Sequence, residues 1–539
     1  MVSHKRSHVE NSAAHAQTKT RKIKIRNNPA LAINSDDDDG DELSSADEGI
    51  VHTRAPHVDS MYLDTVDRSS LDFDFEQVCS VSLSNNNVYA CLVCGKYYQG
   101  RGKQTHAYFH SINDNHHVFI NLQTLKVYIL PDNYEVEDKS LNDIKAAISP
   151  KYTDLQVSNI DMRCEYSRDL SGKKYIVGFI GLNRIKSNDY MNVVIQAFSH
   201  IPPVRNAFLL MPNIEKQTVL VQRMAVLVRK MWHSKLLKAH VSPHELAQEV
   251  VNRSKQRFKL DIQGDAFEFL TWLLNTLHID LGGTRKKSSS VIYKSFQGKI
   301  EVTSQKLEDT EARSKETDPF VIDVAKHVNV NKIPFLTLSL ELPPKPLFND
   351  EDSDEEDKAS IPQVALVSLL QRYNGSTVVE WQGEAKQYCL LELPQYIICH
   401  VKRFSRNNFS VEKNPTVVNF PIRNVPFGEL LPKGSLLPSY GSSSNTYDLI
   451  VNICHDGQAP PLAAIVTTDA TSSQTATTSS APYSAGETAS THSQYLVYLR
   501  HAADGKWYKV QDLLVESTMP QMILLSDSYI QIWQRNNST

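Results

Sequence analysis

Between Gly178 and Leu210 the chain passes from a polar loop into a helix that has to be buried. Met191, Val194, Ile195 and Phe198 recur at i, i+3, i+4 and i+7, the period of a helix with an apolar face. Asn188 and Asp189 stand where capping residues belong, just before that run. A loop feeding the N-terminus of a buried helix is a place where unpaired amides and the helix dipole favour negative charge. The rest of the chain has to supply a core around this helix.

At 539 residues the chain has length for two or three domains. Hydrophobic residues make up 41% and charged residues 22%, the balance of a globular protein with polar insertions. No apolar run approaches the roughly 18 residues of a membrane span, and the polar start does not read as a signal peptide. The net charge of −4 argues against a broad nucleic-acid-binding face, so no sequence-specific nucleic-acid contact is expected. Seven unevenly spaced cysteines suit a reducing compartment and one metal cluster better than a disulfide framework.

Residues 1–68 read as a disordered tail, with a basic run (Lys19, Arg21, Lys22, Lys24, Arg26) followed by an acidic one. The basic run has the composition of a nuclear import signal or of a plain solvated tail. Residues 69–166 form a unit rich in cysteine, histidine and tyrosine. Its Cys91-Leu-Val-Cys94 knuckle is followed by His106, His110, His116 and His117, the residue types that surround zinc tetrahedrally. Val118 to Leu122 and Val127 to Ile129 read as strands that close the unit, and 167–177 as a linker. Further on, Thr218 to Trp232 reads as an amphipathic helix. Ser242-Pro243-His244-Glu245 spells a capping box for a helix from Pro243, and Leu270, Leu273, Leu274 and Leu277 form another buried stripe. Strands are expected from Val291 onward, including Leu336–Leu342 and Val364–Leu370. Residues 349–359 and 458–492 read as disordered insertions.

Several stretches resemble the ubiquitin-specific proteases. Gly181, Leu182, Tyr190, Met191, Asn192 and Gln196 match that family's cysteine box, Gln263-Gly-Asp-Ala-Phe-Glu-Phe its second helix, and Trp507-Tyr508 its late strand. The resemblance implies an α+β, papain-like fold of thumb, palm and fingers over 178–536, preceded by a small α/β zinc finger. It also implies which positions carry the chemistry. Asp189 occupies the nucleophilic cysteine position, Gln494 that of the histidine base, Gln511 that of the third catalytic residue and Arg184 that of the oxyanion donor. Without thiolate or imidazole, hydrolysis is not expected, and Asp189 is expected to act as a helix cap. Members with two zinc sites in the finger keep both ligand sets. Here Cys91, Cys94, His110 and His116 complete one, whereas Ser82 and Gln99 break the other and leave Cys79 and His106. One zinc ion is therefore implied, and no cysteine lies between Cys164 and Cys389, where other members hold a second zinc on two Cys-x-x-Cys knuckles.

Phe404 to Thr416 and Pro520 to Trp533 resemble the branch of this family associated with the spliceosomal tri-snRNP. That branch implies a nuclear, non-catalytic scaffold for tri-snRNP assembly or maintenance in pre-mRNA splicing, with tri-snRNP proteins as partners. Arg184 and Lys186 would crowd the channel for ubiquitin's tail and ion-pair with Asp189, so ubiquitin binding is expected to be weak or absent. Two alternatives stand beside the scaffold. One is a residual deubiquitinase using a displaced Cys164, Cys399 or Cys454, and the other a ubiquitin-binding adaptor.

Overall fold

The structure is a computed structural model. It describes residues 61–306, 328–344, 362–381, 383–406, 411–431, 445–458 and 493–536. The charged tail through residue 60, the acidic tract and the Ser/Thr-rich stretch from 459 to 492 lie outside the described residues.

The N-terminal unit is built on a five-stranded antiparallel sheet in the order β2-β1-β3-β4-β5. It consists of β1 (Val88–Cys91), β2 (Tyr97–Gln99), helix α1 (His106–Asn113), β3 (Val118–Asn121), β4 (Val127–Ile129) and β5 (Tyr134–Val136). Both faces are covered. Val88, Ala90, Ile120 and Ile129 pack with α2 (Asn142–Ile148), and Tyr89, Cys91, Phe119 and Tyr128 pack under α1. Residues 61–68, expected in the disordered tail, instead form two short turns whose Tyr62, Leu63 and Val66 pack on this core. Arg68 pairs with Asp143 at 2.6 Å. Helix α3 (Asp154–Ile160) buries Val157 in the larger domain rather than here, so the packing boundary falls before residue 166. The expected linker is ordered too. It forms a hairpin, β6 (Tyr166–Arg168) and β7 (Lys174–Ile176), and Tyr175 and Val177 enter the large core.

The large domain opens with Gly178, whose φ of +86° and closeness to the Trp232 ring, 2.5 Å from where a Cβ would sit, leave room for glycine alone. The short strand β8 (Gly181–Leu182) leads to α4 (Asp189–Ser199), every residue of which is buried. Around it pack α5 (Pro202–Leu209), α6 (Val219–Met231), α7 (His244–Arg253) and α8 (Ala266–Asp280), with β9 (His240–Val241) pairing β8. The Ser242 capping box does not form. Pro243 is the N-cap of α7, and the Ser242 amide donates to Asp74 of the N-terminal unit instead. Helix α9 (Val291–Phe296) replaces the first expected strand because Ser290 caps it and Ile292 and Phe296 face the core.

The four-stranded sheet has the order β11-β10-β15-β14, from β10 (Gly298–Lys306), β11 (Asn329–Phe335), β14 (Asn374–Trp381) and β15 (Glu384–Glu392). No metal-binding cluster occurs in it among the described residues. Strand β12 (Thr337–Glu341) lies between its members in sequence. The stretch expected as one strand, Val364–Leu370, splits into β13 (Gln363–Ala365) and α10 (Leu366–Leu370). Next come β16 (Tyr396–Lys402), β17 (Phe404–Arg406), β18 (Val411–Lys413), β19 (Val417–Asn419), β20 (Tyr447–Asp456), β21 (Gln494–Arg500), β22 (Trp507–Gln511), β23 (Leu514–Thr518), α11 (Pro520–Leu524) and β24 (Ser528–Arg535). The central sheet runs β12-β16-β24-β20-β21-β22-β23, with only β12 and β16 parallel. It is buried on both faces, which strand alternation makes visible. Tyr495, Val497 and Leu499 join the helical core, while Leu496 and Tyr498 join the core on the other side.

Candidate functional site

The loop before α4 is held by Asn188, whose Oδ1 accepts from the Ile185 amide at 2.7 Å and whose Nδ2 donates to Asn192 at 3.2 Å. Asn188 makes no side-chain hydrogen bond to the helix amides, and Asp189 is the first helical residue rather than a cap. The Asp189 carboxylate reaches across to β21 and the approach to α8. Its Oδ2 accepts from Gln263 Nε2 at 2.6 Å and from the Tyr495 amide at 3.0 Å, and its Oδ1 is buried without a partner. Asp189 is fully buried, and burial raises its pKa above the ordinary carboxylate value, against the opposing pull of the Tyr495 amide, Arg184 and Gln263.

Gln494 begins β21, one residue before the amide that holds Asp189, so the two positions expected to carry the chemistry are neighbours. Its Nε2 donates to Asp512 Oδ2 at 3.5 Å. Asp512 also accepts from Asn192 at 3.3 Å and lies 3.7 Å from Arg184. Gln511 pairs with Leu514 at the turn into β23, so the carboxylate facing Gln494 belongs to the next residue. The expected ion pair between Arg184 and Asp189 is also redirected. Arg184 is exposed, pairs with Asp512, and donates to the Lys186 carbonyl at 3.0 Å.

Three neighbours carry functional geometry that the sequence reading did not single out. Gln263 Nε2 also donates to the Ser493 carbonyl at 3.1 Å, Ser493 Oγ donates to Gln263 Oε1 at 2.6 Å, and His455 Nε2 lies 2.9 Å from Ser493 Oγ. The visible signal was His455 near the end of a largely apolar strand. Burial pushes His455 down to about 3, so it is neutral in this network. The three thiols proposed as displaced nucleophiles lie elsewhere. Cys399 is buried in the core opposite the helices and burial raises it far from reactivity, while burial pushes Cys454 up to about 12. His400, next to Cys399, stacks on Phe267 on the other face, 3.6 Å between ring centroids. Cys164 lies outside the central sheet, before β6.

In the N-terminal unit, the end of β1, its following turn, α1 and the loop after it bring Cys91, Cys94, His110 and His116 together, with one ligand atom of each within 4.8 Å of the others. Cys94 Sγ lies 3.4 Å and His116 Nδ1 3.1 Å from His110 Nε2. Asp114 Oδ2, 2.5 Å from His110 Nδ1, holds that nitrogen and leaves Nε2 to the cluster, a common arrangement behind a metal-binding histidine. Tyr98 stacks on the same ring at 4.2 Å. His117 points away, to the Leu130 carbonyl and Asn115. At the broken second set, Ser82 Oγ donates to Gln99 Oε1 at 2.8 Å and the Ser82 amide donates to Cys79 Sγ at 3.4 Å. A small polar network thus occupies that position. Arg101 lies over the Tyr128 ring at 4.2 Å and bonds Asn133.

A Cys/His cluster on a small sheet, ahead of a helical lobe, a long central sheet and a separate four-stranded sheet, defines the class: a zinc finger followed by the thumb, palm and fingers of a ubiquitin-specific protease fold. Residues 180–533 match the family described as ubiquitin carboxyl-terminal hydrolase, and 79–141 match the Zn-finger in ubiquitin-hydrolases and other protein. The chain belongs to the ubiquitin carboxyl-terminal hydrolase family. It is 43% identical over 489 residues to ubiquitin carboxyl-terminal hydrolase 39 of Homo sapiens, spanning 88% of this chain and 80% of that one. It is 40% identical over 516 residues, 94% of each chain, to a probable mRNA-splicing protein of Schizosaccharomyces pombe. Its fold is similar to the crystal structure of an essential yeast splicing factor, with a TM-score of 0.65, 28% identity, and 88% of this chain and 100% of that chain covered.

Proposed function

We propose that this chain is a non-catalytic, ubiquitin-protease-like scaffold in pre-mRNA splicing, acting in the nucleus through protein contacts that support assembly or maintenance of the spliceosomal tri-snRNP. The observation that carries the reading is Asp189. A fully buried carboxylate held by Gln263 and the Tyr495 amide fills the nucleophile position, and the neighbouring base position holds Gln494. Gln494 cannot accept a proton near neutral pH, and a carboxylate with no base beside it is a poor amide nucleophile. A protease deprived of its triad loses roughly 10⁶ in turnover, about 8 kcal/mol of barrier. The similarity to splicing proteins of two yeasts supports splicing as the process in which the scaffold works. Affinity purification from nuclear extract with this chain as bait tests the reading. Enrichment of tri-snRNP proteins is the expected result, and their absence would overturn it.

The same reading assigns one zinc ion to the finger, through Cys91, Cys94, His110 and His116. The fit rests on two thiols, two imidazoles and the Asp114 carboxylate behind His110. The metal would tie the β1 turn to α1 and the following loop. Ubiquitin is bound weakly or not at all. Arg101 is engaged by Tyr128 and Asn133, and in the cleft Asp512 and the Oδ2 of Asp189 are occupied by neighbouring donors. In domain terms the scaffold comprises the charged tail, the finger, and a degenerate protease domain extending to about residue 536.

A further inference from the structure

We propose that Cys164, His501 and Asp504 form a second and weaker site for a thiophilic divalent cation, with zinc the fitting ion. One ligand atom from each lies within 4.8 Å of the other two. They come from separate parts of the chain. Cys164 sits in the loop before β6, whereas His501 and Asp504 belong to the turn between β21 and β22. That turn is rigidly closed. The His501 amide donates to the Lys506 carbonyl at 2.8 Å, and the Gly505 amide donates to the His501 carbonyl at 3.0 Å. His501 is buried against Phe179, 5.2 Å between ring centroids, with Nδ1 3.1 Å from Asp504 Oδ1, so its ring is fixed before any ion arrives. Cys164 is half-buried and Asp504 exposed, which leaves a side open to water.

One sulfur, one nitrogen and one oxygen donor select zinc-like ions over magnesium and calcium, which prefer all-oxygen sites. Tetrahedral zinc at its usual bond lengths places ligand atoms roughly 3.3–3.6 Å apart, so the cluster closes around the ion with about 1 Å of side-chain movement. Three protein ligands leave the fourth position to a water molecule. Binding releases the Cys164 thiol proton to solvent. The His501–Asp504 contact and the Lys506 ammonium, 3.4 Å from Asp504 Oδ2, already satisfy the carboxylate, so the ion has to compete and the affinity is modest. The site is separate from the degenerate cleft. Gln494 and Arg500 are opposite ends of β21, about 20 Å apart in an extended strand, and His501 follows Arg500. A bound ion would fasten the β6–β7 hairpin, through which the chain enters the large domain, to the central sheet.

The test is zinc titration of the full chain, combined with the rate at which iodoacetamide alkylates Cys164. Zinc is expected to bind in one equivalent beyond the tightly held finger metal, and that extra equivalent is lost in Cys164→Ser. Saturating zinc should slow Cys164 alkylation at least tenfold, while magnesium leaves it unchanged. Asp504→Asn, which keeps the size of the side chain, should weaken the second equivalent about tenfold. Identical zinc stoichiometry in wild type and Cys164→Ser, or alkylation insensitive to zinc, would overturn the site. So would covalent capture of Cys164 by a ubiquitin-based suicide probe, which would assign the same three residues to nucleophilic chemistry.

Discussion

At the scale of single residues, the proposed role rests on a buried carboxylate, Asp189, at the start of α4. Burial raises the Asp189 pKa above its ordinary value near 3.8. The folded protein therefore holds this proton more tightly than the unfolded chain, and the Asp189 contribution to stability falls as pH rises from about 4 through the raised value. Asp189→Asn keeps the acceptor for Gln263 and Tyr495 while removing the charge. Its melting temperature is expected to equal or exceed that of wild type at pH 7, with the difference shrinking as the pH is lowered toward 4. A variant clearly less stable at pH 7 would show that the ionised form is needed. Asp189→Cys alone should not hydrolyse ubiquitin conjugates, because no imidazole occupies position 494. Hydrolysis above wild type would reveal another base, of which His455 is the nearest candidate in the Ser493 network. In the finger, His110→Ala should release the zinc, whereas His106→Ala should retain it. Metal analysis of the two variants decides the ligand set.

At the scale of elements, periodicity was legible where one face is buried and the other is not. The α8 stripe of Leu270, Leu273, Leu274 and Leu277 is buried, while Ile279 on the same helix is 67% exposed. Leu273→Ala should therefore cost about 2–5 kcal/mol in denaturant unfolding and Ile279→Ala less than about 0.5 kcal/mol. Elements were misread where chain-local signals compete with packing. Val364–Leu370 is apolar but for Ser368, and periodicity cannot separate a strand from a short buried helix there. Ser242 looked like a cap, yet its amide is taken by Asp74, a partner 168 residues away that no local pattern announces. The same holds in the cleft. Asp189, Gln494 and Arg184 were legible as altered positions, but their partners Gln263, Tyr495 and Asp512 come from other elements and became visible only in three dimensions.

At the scale of the whole molecule, the finger and the large domain are joined by specific contacts. Lys230 Nζ donates to Asp74 at 2.9 Å and to the Phe73 carbonyl at 2.7 Å, Lys238 pairs with Asp72 at 2.7 Å, and Leu237 packs into the finger's core. Asp74→Ala leaves the largely buried Lys230 without its carboxylate and the Ser242 amide without its acceptor. A loss of about 1–3 kcal/mol is expected in urea unfolding. Wild-type stability in that variant would mean the two units dock through apolar contact alone. No helix among the described residues is long and apolar enough to cross a membrane. The fold and the family were readable from the cysteine-box remnant and the finger knuckle. The ordered segment at 61–68 and the hairpin at 166–176 were not, because their apolar residues pack on cores built from other stretches of the chain.

The central claim of the proposed function is that an intact protease fold works here without protease chemistry. The most direct measurement incubates the purified full chain with ubiquitin carrying a C-terminal thiol-reactive warhead and reads the adduct by intact mass, beside an active member of the family. The account predicts that the active relative is labelled and this chain keeps its unmodified mass. A stoichiometric ubiquitin adduct on any of its seven cysteines would contradict it.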